Sequence, residues 1–249
     1  MKKRKILLTT LISFLTIILL ICVCFFSYAS VYYRADAKVD SFLTSSITID
    51  VKFVEKDAIL FTPTNQPIKA GIIFYPGGKV EYTSYAPLLY EFAKSGLACI
   101  IGKMPFNLAV FSPNKADSLV KYLPKNIDLY IGGHSLGGVI ACNYVENHPS
   151  TFKGLFLLGS YSTVNLSKLD LRVVSLYGEF DNVLNMKKYT KSISQNLYPD
   201  TFNEYIIYGG NHSGFAYYGP QKGDGEAKIT TNEQISVTVK NTIKYLGID

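Results

Sequence analysis

Residues 127 to 147 leave the backbone little choice. A β-branched and apolar run, Ile127 to Ile131, leads into Gly132-Gly133-His134-Ser135-Leu136-Gly137-Gly138, and a helix-compatible run, Val139 to Asn147, follows. Gly-x-Ser-x-Gly between a strand and a helix describes a sharp turn that lifts one serine hydroxyl above the edge of a sheet. Such a turn holds its serine in a strained conformation. A Cβ on either flanking glycine would collide with the neighbouring strand or helix. The bare pattern is weak, and its strand–turn–helix setting gives it weight.

The rest of the chain repeats that alternation. Two β-like runs, Ile47 to Phe53 and Ala58 to Thr62, precede the turn cluster Pro63 to Pro67. Strands are then expected at Ala70–Tyr75, Leu97–Gly102, Ile127–Ile131, Gly154–Gly159, Arg172–Tyr177 and Phe202–Tyr208. Helices are expected at Tyr85–Ser95, Pro113–Leu123, Leu136–Asn147, Asn185–Leu197 and Thr231–Leu246. Continuous apolar strands such as Ile72-Ile73-Phe74 and Leu155-Phe156-Leu157-Leu158 indicate burial on both faces. Repeating βα units therefore predict an α/β domain: a mostly parallel sheet flanked by helices. About a dozen residues separate the strand ending near Gly159 from that starting at Arg172. They leave no room for a lid domain, so the site is expected to be open.

The N-terminus reads differently. Lys2, Lys3, Arg4 and Lys5 account for four of the 25 basic residues, and residues 6 to 33 carry no charge. Beyond them 21 basic side chains face 19 acidic ones, so the body has no electrostatic footprint for nucleic acid. Ile6 to Tyr28 is a 23-residue apolar segment. As a helix it would reach about 34 Å, enough for a hydrocarbon core of about 30 Å. The expectation is a basic tip at 1–5, a transmembrane anchor at 6–28, a linker at 29–46 and a catalytic domain at 47–249. Cations before the span keep the N-terminus cytoplasmic, with the domain external at the cell membrane and a lipid bilayer as partner. The rival is a signal peptide cut near Ala29, giving a secreted body. Cys99 and Cys142 read as buried small hydrophobes. No Cys/His cluster has metal-ligand spacing, so neither metal nor cofactor is expected.

Reactive groups gather at the carboxyl ends of strands in an open parallel sheet. A serine at such a turn expects its acid, then its histidine, later in the chain. Only His148 and His212 follow Ser135. His148 ends the serine's own helix at the far end, whereas His212 follows a strand through Gly209-Gly210-Asn211. Asp181, after Tyr177-Gly178-Glu179-Phe180, is preferred over Glu179 because the chain needs a few residues to point back at the histidine. The N–H of Leu136 is the first oxyanion donor. The loop Tyr75-Pro76-Gly77-Gly78-Lys79 offers the second, from Gly78 or else Lys79, since Pro76 has no N–H. Met104 and Phe106, after the strand ending at Gly102, are candidate pocket walls, together with Lys79 and Tyr217; ordinary loop packing is the alternative.

With these residues in place, the chain resembles the α/β-hydrolase superfamily over roughly residues 55 to 246. More narrowly it is similar to small, lidless, exported bacterial hydrolases related to dienelactone hydrolases. The resemblance rests on Phe74-Tyr75-Pro76-Gly77-Gly78, Lys103-Met104-Pro105-Phe106-Asn107, Gly133-His134-Ser135-Leu136-Gly137-Gly138, Gly210-Asn211-His212 and Tyr218 to Gly225. It implies a Ser-His-Asp hydrolase with Ser135, His212 and Asp181 as the triad, acting on a small acyl substrate, a carboxylic ester above all. Acyl transfer to another acceptor or amide cleavage would use the same residues. An inactive surface binding protein that kept the fold is the rival from another class.

Overall fold

The structure, a computed structural model, describes residues 2–55, 57–195 and 197–248. Met1 of the basic tip and Asn196 of an expected helix lie outside them. The described chain forms two compact units, which divide between Tyr32 and Tyr33.

The first unit is one helix, α1 (Lys2–Ser30), 29 residues long. It is long and apolar enough to cross a membrane, a test that a signal sequence would also pass. Thr9, Thr10 and Thr16 return their hydroxyls to backbone carbonyls four residues earlier. That satisfies these three hydroxyls within the apolar run.

The second unit is built on an eight-stranded sheet, in the order β1-β2-β4-β3-β5-β6-β7-β8. β1 (Ile49–Val54), β2 (Ala58–Pro63) and β4 (Leu97–Gly102) pair antiparallel in succession. From β4 onward the sheet is parallel through β3 (Ala70–Tyr75), β5 (Asp128–His134), β6 (Gly154–Leu158), β7 (Arg172–Gly178) and β8 (Phe202–Ile207). The central strands β3, β4 and β6 are buried along their whole length, as continuous apolar runs require.

Alternate residues feed two cores. Ile72, Phe74, Phe156, Val174 and Leu176 face α2 (Ala86–Lys94) and α6 (Thr231–Leu246) on one side. Ile73, Tyr75, Leu155, Leu157 and Val173 face α3 (Lys115–Leu119) and α4 (Leu136–Asn147) on the other. The period-2 pleat thus places one helical layer on each face. α6 is bounded as its sequence dictates, by a Thr230–Glu233 capping box and by Gly247 at φ 64°. α5 (Met186–Ser194) opens on Asn185, whose side chain accepts the Lys188 N–H.

Two expected elements differ. The helix expected at Pro113–Leu123 holds α-geometry only over Lys115–Leu119 and tightens into a 3-10 turn at Val120–Tyr122. Leu123 precedes Pro124 and is extended, as pre-proline sterics demand. The segment expected as a linker is folded from Tyr33 onward. Asp36 caps a 3-10 turn at Ala37–Phe42, Val39 is buried, and Phe42 and Leu43 pack on the first core. Val39, Phe42 and Leu43 stand at i, i+3 and i+4, which gives one apolar face. The loop joining β6 to β7 carries no helix, so no lid stands over the sheet there.

Candidate active site

Ser135 sits between β5 and α4 at φ 51° and ψ −123°. This strained geometry costs on the order of 1–3 kcal/mol and persists only where the surroundings enforce it. Close packing does so here. A Cβ on Gly133 would come within 2.5 Å of the Gly137 backbone, and one on Gly137 within 2.2 Å of the Tyr75 carbonyl oxygen. The Ser135 N–H donates to the Leu158 carbonyl at 2.9 Å, and Ser160 Oγ donates to the Ser135 carbonyl at 2.7 Å. The turn is thereby tied to β6, and its side chain is half-buried.

His212 and Asp181 come together from the loops after β8 and β7. His212 Nδ1 and Asp181 Oδ2 are 2.8 Å apart, and both side chains are almost wholly buried. The other carboxylate oxygen, Oδ1, accepts the N–H groups of Val183 and Leu184 at 3.0 and 2.8 Å. Three hydrogen bonds thus hold the carboxylate, and the histidine ring is oriented with Nε2 free. That nitrogen is buried without a hydrogen-bond partner. Glu179, the competing acid, instead accepts the Gly209 N–H at 2.9 Å. His148 lies at the end of α4, stacked on Tyr144 with Nδ1 2.8 Å from the Tyr144 carbonyl oxygen.

Ser135 and His212 line one cavity of ≈200 Å³ with Leu136, Val139, Ser160, Tyr161, Val183 and Leu184 among its walls. Gly159, also at this wall, has φ 51°; a Cβ there would lie 2.8 Å from His212 Nδ1 and 2.9 Å from Asp181 Oδ2. Only glycine leaves space for the acid–histidine pair.

The loop after β3, Gly77-Gly78-Lys79, spends two of its three N–H groups. The Gly77 N–H donates to Tyr85 Oη at 2.9 Å, and the Lys79 N–H to the Asn107 carbonyl at 2.7 Å. Gly78 keeps a free N–H, and its position is beside Leu136: a Cβ on Gly78 would stand 3.3 Å from that of Leu136. Leu136 is the first residue of α4, so its N–H has no acceptor within the helix. Gly78 and Leu136 thus stand side by side next to the serine.

Lys79, Met104, Phe106 and Tyr217 are not among the residues lining this cavity. Met104 is buried in the second core, and Phe106 is an exposed loop residue whose ring lies 5.6 Å from that of Phe111. Lys79 spends its N–H on Asn107. Tyr217 hydrogen-bonds Asn232 and lines a different cavity, of ≈490 Å³, that includes neither Ser135 nor His212. Loop paths, rather than proximity to a strand end, decide which side chains face the serine.

Two further supports were not read from the sequence. Asp224, between Gly223 and Gly225, reaches the loops after both β7 and β8. Its Oδ1 accepts the His212 N–H at 3.2 Å and the Asn182 N–H at 3.4 Å, and its Oδ2 accepts the Ser213 N–H at 2.8 Å. His134, the residue before the serine, is fully buried 4.4 Å from the His212 ring and bonded through Nδ1 to Tyr85 Oη at 2.7 Å. Burial, then the neighbouring His212, holds its pKa well below the usual histidine value, so it stays neutral. Gly223-Asp224-Gly225 has turn composition, but nothing local tells which backbone its carboxylate will clamp.

Among the described residues no group of three or more His, Cys, Asp or Glu side chains is placed to hold a metal ion. Cys99 and Cys142 are buried and free.

The model of the Alpha/beta hydrolase family matches residues 71–236. No curated protein matches the chain. Solved structures share the fold at low identity. A soluble variant of monoglyceride lipase from Saccharomyces cerevisiae, in complex with a substrate analog, is 11% identical at TM-score 0.60, covering 82% of this chain and 97% of that one. A Klebsiella pneumoniae protein described as a dienelactone hydrolase is 14% identical at TM-score 0.57, covering 82% and 99%. TT1662 from Thermus thermophilus is 11% identical at TM-score 0.59, covering 80% and 99%.

Proposed function

Because the chain belongs to the alpha/beta hydrolase family, we propose that it is a membrane-anchored serine hydrolase, external to the cell, that cleaves carboxylic esters through Ser135, His212 and Asp181. The observation carrying this reading is the shared cavity: a serine at a strained turn and a histidine with a free Nε2, whose other nitrogen is held by a buried carboxylate.

The chemistry follows from that arrangement. His212 Nε2 takes the proton as Ser135 Oγ attacks the ester carbonyl carbon, and Asp181 stabilises the imidazolium that forms. Negative charge on the carbonyl oxygen is met by the N–H groups of Leu136 and Gly78; losing one such donor typically costs about 3–4 kcal/mol of transition-state stabilisation. The alcohol leaves with the proton from His212. Water, activated by the same nitrogen, then releases the acid from the acyl-serine. No hydrogen bond joins His212 Nε2 to Ser135; catalytic contacts of this kind commonly tighten only with substrate present. A ≈200 Å³ cavity walled by Val139, Tyr161, Val183 and Leu184 suits a short acyl or alkoxy group.

A fluorophosphonate probe tests the reading on the full chain in membranes. Wild type should be labelled and Ser135→Ala should not; an adduct that survives the substitution moves the nucleophile elsewhere. Hydrolysis of short p-nitrophenyl esters should fall by on the order of 10³-fold or more in His212→Ala. Unchanged turnover removes that histidine from the mechanism. The anchor is tested by the mass of the membrane-extracted protein, which should retain α1; a chain beginning near Ser30 would make it a cleaved signal.

A further inference from the structure

His212 stands on a loop that a side chain from α6 holds. Gln234, one turn into that helix, is fully buried, and both ends of its amide meet the backbone of Asn211. Its Oε1 accepts the Asn211 N–H at 3.0 Å, and its Nε2 donates to the Asn211 carbonyl at 2.7 Å. The loop makes room for this contact by omitting side chains on either flank. A Cβ on Gly210 would lie 2.8 Å from Gln234 Oε1, and one on Gly214 2.1 Å from it.

The Asn211 carbonyl and the His212 N–H belong to one rigid peptide plane. Gln234 holds its oxygen, and Asp224 Oδ1 accepts its N–H at 3.2 Å. The plane is therefore pinned at both edges, immediately before the Cα that carries the imidazole. Gln234 is itself well anchored. Its own N–H donates to the Thr230 carbonyl at 3.0 Å, and Thr238 Oγ1 donates to its carbonyl at 2.7 Å. The residue before Asn211 is tied to the acid's loop: the Gly210 carbonyl accepts the Phe180 N–H at 2.8 Å, one position before Asp181.

Resting on the ester-hydrolase reading above, we propose that Gln234 is a positioning residue for the reaction, acting through the His212 backbone. Its two hydrogen bonds hold the Asn211–His212 peptide so that the imidazole keeps Nδ1 on Asp181 and presents Nε2 to the cavity it shares with Ser135. A primary amide serves because it offers one acceptor beside one donor, the complement of a backbone C=O and N–H. Methionine offers neither, and a carboxylate offers only acceptors.

Gln234→Glu makes the clamp depend on protonation. A protonated carboxyl there accepts the Asn211 N–H and donates to the Asn211 carbonyl; once ionised, it turns a second acceptor on that carbonyl. Burial favours the protonated form. Glu179, Asp224 and Asp181, bonded to Gly209, His212 and Ser213, act in the same direction, against the exposed and screened ammonium of Lys228. For the full-length protein, kcat on p-nitrophenyl acetate is measured from pH 9.5 to pH 5.5 and divided by the wild-type value at each pH. That ratio should climb about tenfold toward acid. Gln234→Met removes both bonds at similar length, and its kcat should be lower by about 10- to 100-fold at every pH, with KM within about twofold. A constant ratio for Gln234→Glu overturns the proposal, as does a folded Gln234→Met with kcat within about threefold of wild type. Should Gln234→Met fail to fold, the Gln234→Glu protein folded at pH 5.5 and moved to pH 9.5 carries the test alone. Its kcat must fall while near-UV circular dichroism stays native; loss of both together makes Gln234 a stability residue only and overturns the proposal. Amide hydrogen exchange over residues 209–214 should quicken about tenfold in Gln234→Met. Wild type that neither hydrolyses the ester nor takes the fluorophosphonate ends the hydrolase reading even where exchange quickens. Intact labelling with exchange unchanged by the substitution removes the clamp alone.

Discussion

Asp224→Asn isolates what holds the histidine in place. The native carboxylate accepts the N–H groups of Ser213 at 2.8 Å, Gly225 at 2.9 Å, His212 at 3.2 Å and, weakly, Asn182 at 3.4 Å. Asparagine keeps one oxygen. If that oxygen stays on the His212, Gly225 and Asn182 side, an NH2 group replaces Oδ2 and meets the Ser213 N–H donor to donor. One hydrogen bond to a charged group is lost, worth about 1.5–3 kcal/mol, and the others weaken as the charge goes. Asp224 is only half-buried, so we expect about 1–3 kcal/mol in urea unfolding after solvent screening. The catalytic effect should be larger than that stability loss suggests. Release of the His212 and Ser213 backbone lets the imidazole drift, and a displacement of about 1 Å can cost on the order of 10²-fold. For the full-length protein, kcat on p-nitrophenyl acetate should fall by about 10- to 100-fold with KM nearly constant, and fluorophosphonate labelling should slow in step. A variant that loses stability yet keeps kcat within about threefold would refute the reasoning, leaving Asp224 a purely structural clamp.

Gly159→Ala places a methyl against His212 Nδ1 and Asp181 Oδ2 at a positive φ that costs an L-residue about 1–2 kcal/mol. Ester turnover should drop by at least about 10²-fold, and a folded variant with wild-type turnover would show that the acid–histidine pair tolerates displacement. Tyr85→Phe removes the acceptor of the Gly77 N–H and the partner of His134 Nδ1. Both groups are buried, so urea denaturation should register a loss of about 2–4 kcal/mol, and a loss under about 1 kcal/mol would mean water replaces the hydroxyl. His134→Gln should flatten the acid limb of stability. A histidine whose folded pKa is depressed binds its proton only on unfolding, so its contribution is complete above the unfolded pKa of about 6.5 and is lost as pH falls below it. Between pH 6.5 and 5 wild type should lose up to about 2 kcal/mol more than the variant, and parallel stability curves would show that His134 already protonates in the fold.

The sequence by itself determined the strands, because continuous runs such as Ile72-Ile73-Phe74 have a local signature that burial on both faces explains. It also read Ser135, Asp181 and His212 as each following a strand at the carboxyl edge, and they follow β5, β7 and β8. It ranked Asp181 above Glu179 by chain geometry alone, and Asp181 is the carboxylate hydrogen-bonded to His212. Tertiary structure decided whatever depends on two loops distant in sequence. β4 lies between β2 and β3, so the hairpin reaches the parallel sheet through β4. Gly78 rather than Lys79 keeps a free N–H because Asn107, almost thirty residues on, takes the other. The cavity is walled by Val139, Tyr161, Val183 and Leu184, while Met104 turned into the core and Phe106 out to the surface. Apolar periodicity and turn chemistry act over a few residues, so one chain shows them. Which backbone a loop will meet is set by packing across the whole sheet, and no short stretch of sequence carries it.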